Sequence, residues 1–180
     1  MELWAATTIR QPVSRVYGHW RHLENLSTFM TYIDRIRPTG ERTSHWTAIT
    51  PFGHRLEWDA ELTDVVPDRQ LGWRSVGEAE LPNCGRVRFD PAPDGVSTEV
   101  RALMVFVIPG TELGGMISRY FGDTPNELLD DDLHRLKQIL ETGEVVLSDG
   151  APWGKRSRKE FPQRPAQPLS AGELARGAPA

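Results

Sequence analysis

The sequence predicts an α+β domain in which a curved antiparallel sheet of six to seven strands wraps round a long C-terminal helix. Three observations predict it. Around Trp58, the residues Leu56, Trp58, Ala60 and Leu62 alternate with Glu57, Asp59 and Glu61, the period of two that marks a half-buried strand. Neighbouring strand-like segments at residues 42–50 and 70–77 place Trp46 and Trp73 in mid-strand. Towards the end, Thr124-Pro125-Asn126-Glu127 is a capping box with proline at the first helical position. Leu129, Leu133, Leu136 and Leu140 then share one stripe, and Gly143 is the expected stop. A sheet with one apolar face and a long amphipathic helix must bury those faces against each other.

The remaining elements follow in order. Residues 3–10 alternate well enough for a strand, and Gln11-Pro12 opens a helical stretch with Val13, Val16, Tyr17 and Trp20 at helical spacing. A second short helix is expected at 23–32, with Leu26, Phe29, Met30 and Ile33 on one face. From Arg35 to Ile108 strands alternate with turns. Pro51-Phe52-Gly53 suits a three-residue hairpin loop, with glycine at the left-handed position. That loop sets Thr50 opposite His54 and Trp46 opposite Trp58. A two-residue loop would turn Trp46 to the acidic face, because a one-residue slip flips every side chain. Further turns fit residues 66–69 and 91–95. A shorter helix carrying Leu113, Ile117, Tyr120 and Phe121 is expected before the capping box.

The outer face reads as a charge ladder. Glu57, Asp59 and Glu61 are expected beside Arg74, followed by Arg86 and Arg88 and then Glu99 and Arg101. Such cross-strand pairs contribute a few tenths to about 1 kcal/mol each. Asp130, Asp131 and Asp132 suit the positive end of the helix dipole. Consecutive aspartates fan out around a helix, so they read as solvated rather than as a metal site.

Composition limits function. The longest apolar run, residues 102–108, is far short of the ~20 residues that span a bilayer. Met1-Glu2-Leu3-Trp4 leads straight into a strand, so no secretory leader is expected. A single cysteine, Cys84, excludes an intramolecular disulfide and argues against a cysteine-based metal site. A reducing cytoplasm is the expected compartment. Residues 151–180 hold six basic residues against two acidic ones, so the net charge of −4 for the chain becomes −8 over residues 1–150. An acidic body argues against nucleic acid as a partner. The domain is read as 1–145, and 146–180 as a disordered Pro/Ala/basic tail. At most, that tail makes peripheral contact with an anionic membrane surface.

No Gly-rich phosphate loop, G-x-S-x-G, H-E-x-x-H or cysteine pair is present. The histidines His19, His22, His45, His54 and His134 form no recognisable ligand set, and alternation turns His45 away from the tryptophan face.

Taken in order, the elements and several short blocks resemble the START-like, or helix-grip, superfamily (SRPBCC), and within it the polyketide cyclase/dehydrase-type branch common in bacteria. The blocks are Val16-Tyr17 with Trp20-Arg21, Glu24-Asn25-Leu26 with Phe29-Met30, Ser44-His45-Trp46, Trp58-Asp59-Ala60-Glu61 and Trp73-Arg74-Ser75. They end with Asp132-Leu133 and Glu141-Thr142-Gly143-Glu144. The resemblance covers residues 1–145. It implies an elongated cavity between sheet and C-terminal helix that binds lipids, isoprenoids, polyketides or similar hydrophobic molecules. Only some members of the superfamily are enzymes, and fold alone does not transfer function.

Within that expectation Trp46, Trp58, Trp73, Phe89, Met104 and Phe106 line the sheet side of the cavity, and Leu129, Leu133, Leu136 and Tyr120 cover it. Polar groups placed inward are Ser75, Thr98, Tyr32 and Tyr120, and Arg74 points outward. No inward charged group is expected, which favours binding over catalysis. A cyclase or dehydratase using the same cavity is the alternative, because such a reaction needs acids or bases inside it. A third reading makes the basic tail a docking element. No metal and no tightly held cofactor are expected.

Overall fold

A computed structural model describes residues 1–50, 53–107 and 125–143, with side chains in the last segment from Glu127 onward. The chain divides into two units, Met1–Val146 and Leu147–Ala180. The second unit lies outside the described residues, as do the helix expected around Leu113–Phe121, Tyr120 and Thr124.

Seven strands form one antiparallel sheet: β1 (Glu2–Ile9), β2 (Ile33–Pro38), β3 (Thr43–Ile49), β4 (Arg55–Leu62), β5 (Gln70–Val76), β6 (Asn83–Pro91) and β7 (Thr98–Phe106). Their spatial order is β1-β7-β6-β5-β4-β3-β2. The sheet curls into a half-barrel against which the C-terminal helix packs, the α+β helix-grip arrangement. Helix α1 (Val13–Arg21) follows β1, and α2 (Pro125–Thr142) is the long helix.

The hairpin register follows the three-residue loop. Thr50 N–H donates to the His54 carbonyl at 2.9 Å, Gly53 has φ +83°, and Trp46 pairs with Trp58. All three tryptophans therefore share the inner face. Ring centroids lie 5.7 Å apart for Trp46–Trp58 and 6.2 Å apart for Trp46–Trp73, both pairs stacked. Trp73 pairs across the ladder with Gly85. A Cβ on Gly85 would stand 2.1 Å from the Trp73 ring, so that ring lies flat where a side chain would otherwise be. An isolated glycine inside a strand marks this kind of close approach.

The outer face carries the expected ladder, with Arg74 on Glu61, Arg86 on Asp64 and Arg101 on Glu99 and Asp90. His45 Nδ1 meets Asp59 at 2.8 Å, away from the tryptophans.

Residues 23–32 depart from expectation. They form a 3-10 segment, Leu23–Thr28, instead of an α-helix. The Ser27 and Thr28 hydroxyls donate to the Glu24 and Asn25 carbonyls, three residues back. Side chains that bond the local backbone in this way compete with a regular α-helix. Leu26, Phe29, Met30 and Ile33 are buried all the same.

Helix α2 starts at Pro125 and stops at Gly143, whose φ of +78° and N–H bond to the Ile139 carbonyl at 2.9 Å close the last turn. Its C-terminal end is pinned to the β1–α1 junction. Glu141 accepts the Arg10 N–H at 2.6 Å, Gln11 Nε2 donates to the Leu140 carbonyl at 2.9 Å, and Lys137 bonds Glu141 and the Thr8 carbonyl. No described helix is long and apolar enough to cross a membrane.

Candidate functional site

The inner face is not filled evenly. From Leu133 onward, Leu133, Leu136 and Leu140 of α2 are buried in the hydrophobic core with Ile9, Val87, Phe89 and Val100 and do not border the cavity. Phe89 makes edge contacts with Tyr17 and Trp20 at centroid distances of 5.6 and 6.0 Å. At the N-terminal half a cavity of about 70 Å³ remains. Its sheet side is Leu3, Trp46, Ala48, Leu56, Trp58, Met104 and Phe106, and Leu128, Leu129 and Asp132 close it from α2. Met30, Tyr32, Ile33, Thr50, Leu81 and Asn83 complete the lining.

Of the residues expected on the wall, Trp46, Trp58, Met104, Phe106, Leu129 and Tyr32 lie on this cavity. Trp73, Phe89, Leu133 and Leu136 do not. Trp73 is covered by Trp46 and lodged over Gly85, while the other three belong to the closed core. The Ser75 hydroxyl accepts the Asn83 N–H at 3.0 Å, and the Thr98 hydroxyl donates to the Gln11 carbonyl at 2.7 Å. Both hydroxyls serve the backbone, as polar groups in an apolar setting usually do. Tyr120 falls outside the described residues.

The indole nitrogens divide likewise. Trp46 Nε1 donates to Ser44 Oγ at 2.9 Å, whereas Trp58 Nε1 and Trp73 Nε1 are covered without a partner among the described residues.

The charged group on the wall corrects two expectations. Asp132 was expected to be solvated with Asp130 and Asp131, and no charge was expected inside. Asp130 and Asp131 are exposed, but Asp132 is 4% exposed and lines the cavity. Its Oδ1 accepts from Thr31 N–H at 2.9 Å, from the Thr31 hydroxyl at 2.7 Å and from Arg135 Nη2 at 2.8 Å. Arg135 is also buried; its Nη2 donates to Thr31 Oγ1 as well, and its Nε reaches the Asp131 carbonyl at 3.3 Å. Burial pushes the Asp132 carboxyl up to about 6, against the opposing pull of Arg135 and the two Thr31 bonds.

Helical spacing carried a signal for this residue. Asp132 stands three residues after Leu129 and four before Leu136, on the stripe that faces the core. Arg135, three residues further along, is the matching partner.

The pattern that defines polyketide cyclases/dehydrases and lipid transport proteins matches residues 9–134. The chain belongs to that family. Among individual proteins, it is 32% identical over 83 residues to an uncharacterised 17.2 kDa protein of Streptomyces lincolnensis encoded in the melC2–rnhH intergenic region. That match spans 46% of this chain and 54%, about half, of the relative. A crystal structure of a Deinococcus radiodurans protein is 31% identical, with 80% of this chain and 100% of that one covered at a TM-score of 0.65. The Zhui aromatase/cyclase of Streptomyces sp. R1128 aligns over 81% of this chain and 99% of its own at a TM-score of 0.56. At 14% identity, that likeness shows the fold alone.

Proposed function

We propose that the domain binds a hydrophobic small molecule, such as a lipid, isoprenoid or polyketide, in the cavity beside the N-terminal half of α2, for transport or sequestration. The observation that carries this reading is an unfilled, mainly apolar space walled by Trp46, Trp58, Met104 and Phe106. Ligand sites are built this way, from apolar walls with a few placed polar groups. A space of about 70 Å³ has room for several water-sized groups. That is about half of the ~150 Å³ cavity known to admit benzene, so a ligand of this class needs Met30 and Met104 to swing aside, which an unbranched thioether does readily. A single free cysteine is in keeping with a reducing, cytoplasmic setting for this activity.

Native mass spectrometry of freshly purified protein, followed by solvent extraction, is the test. The expected result is a retained apolar molecule that is lost in Ala48→Met, where a longer side chain enters the cavity. Wild-type protein that is empty and takes up no apolar compound would sink the proposal. A second reading, a cyclase or dehydratase using the same cavity, is favoured by one observation: Asp132 puts an ionisable group on the wall. Turnover of a polyketide-like substrate that falls about 100-fold or more in Asp132→Asn supports it, and no turnover by wild type removes it. Docking through the basic tail concerns residues outside those described.

A further inference from the structure

Asp132 has more hydrogen-bonding capacity than its protein partners use. All three donors that reach it converge on Oδ1. Among the described residues nothing donates to Oδ2, and Oδ2 is not one of the fully covered polar atoms that lack a partner. The residue lines the cavity, and Oδ2 is its one oxygen without a donor among the described residues. A carboxylate offers about four acceptor sites, and a buried charge with half of them unused is costly. Asn83 repeats the pattern. Its Nδ2 donates to the Leu81 carbonyl at 3.0 Å, which fixes the amide orientation, and its Oδ1 takes no bond from the described residues. Two cavity-lining residues, Asp132 on α2 and Asn83 on β6, thus each keep an acceptor that no described residue uses.

Charge balance decides which donor fits. Arg135 Nη2 stands 2.8 Å from Asp132 and neutralises it, so a cationic ligand would bring an uncompensated charge into an apolar space. A neutral hydroxyl would not. We infer, on the ligand-binding reading above, that the cavity takes a small apolar molecule bearing a hydroxyl, an alcohol or a phenol, which donates to Asp132 Oδ2. Its apolar body lies against Trp46, Trp58 and Met104. Thr31 and Arg135 act as positioning residues: by holding Oδ1 they keep Oδ2 turned to the cavity.

The test uses the full chain and three ligands with one apolar body: para-propylphenol, para-propylanisole and para-propyltoluene. They are titrated by calorimetry at about pH 8, where the Asp132 carboxyl is ionised. The phenol is expected to bind about tenfold more tightly than the other two. Only the phenol should shift the Thr31 amide resonance, because that N–H donates to the anchored carboxylate. The preference should vanish in the double variant Asp132→Leu/Arg135→Leu, which exchanges the whole buried pair for apolar side chains. Equal affinities in wild type overturn the anchor and leave the cavity reading standing, whereas no binding by any of the three overturns both. A preference that survives in the double variant places the hydroxyl elsewhere and overturns the anchor. If the double variant does not fold, the wild-type series and the Thr31 resonance decide.

Discussion

The two halves of α2 meet the same sheet in different ways. From Leu133 onward its leucines, Leu133, Leu136 and Leu140, are buried away from the cavity, and its end is tied to β1 and the β1–α1 junction through Glu141, Lys137 and the Leu140 carbonyl. Its N-terminal half places Leu128, Leu129 and Asp132 on a cavity and is held by the Thr31–Asp132–Arg135 cluster. The closed half is stabilised by apolar burial, at about 25 cal/mol per Å². The open half has an ion pair where apolar side chains of similar size would stabilise as well or better. Stability alone does not account for that choice; the anchoring role proposed above would.

The largest effect is expected from breaking that pair. Arg135→Leu leaves Asp132 buried without its counter-charge and should cost roughly 3–5 kcal/mol at neutral pH, read by urea denaturation. Asp132→Leu/Arg135→Leu should recover most of the loss. The pair should also give wild type a pH signature. The Asp132 carboxyl is higher in the folded state, about 6 against 3.8, so its contribution is fully present below 3.8 and is lost as pH rises through 6. Above that it is constant. Subtracting the double variant's profile isolates this slope from the other carboxylates; a flat difference would mean that Asp132 is not desolvated in the fold.

Leucine truncations sharpen the contrast between the halves. Leu136→Ala, fully buried in the closed core, should cost about 2–5 kcal/mol. Leu129→Ala should fall at the low end of that range, because its site already adjoins free space. Equal losses would show that the cavity is not open in solution. The smallest effect is expected at Gly85→Ala, where overpacking against Trp73 should cost about 1–3 kcal/mol. Near-ultraviolet circular dichroism should report the loss of Trp46–Trp73 stacking, and an unchanged spectrum would contradict the close approach.

Much of this molecule is legible one residue at a time. The alternation around Trp58 gave β4 and its inner face, the Pro51–Gly53 turn gave the Trp46–Trp58 pairing, and the leucine stripe ending at Gly143 gave α2. Those are local properties: pleat period, turn geometry and helical repeat are set by a few adjacent residues. The Asp132 misreading came from treating three consecutive aspartates as one group, when only the third falls on the leucine stripe. The 3-10 segment at Leu23–Thr28 came from side-chain hydroxyls outcompeting a regular turn.

Sequence by itself determined the fold class, the strand register at the tryptophans, the identity of the inner face and the family. Tertiary structure alone decided which inner-face residues pack and which surround a space. Periodicity marks a side chain as inward, but whether it meets another side chain or a void depends on how the sheet curls and where α2 is pinned. Hence Trp46 and Trp58 border the cavity while Trp73, on the same face, is stacked over Gly85. The pairing of Asp132 with Thr31, 101 residues away in the chain, is of the same kind: a long-range contact that no local spacing contains.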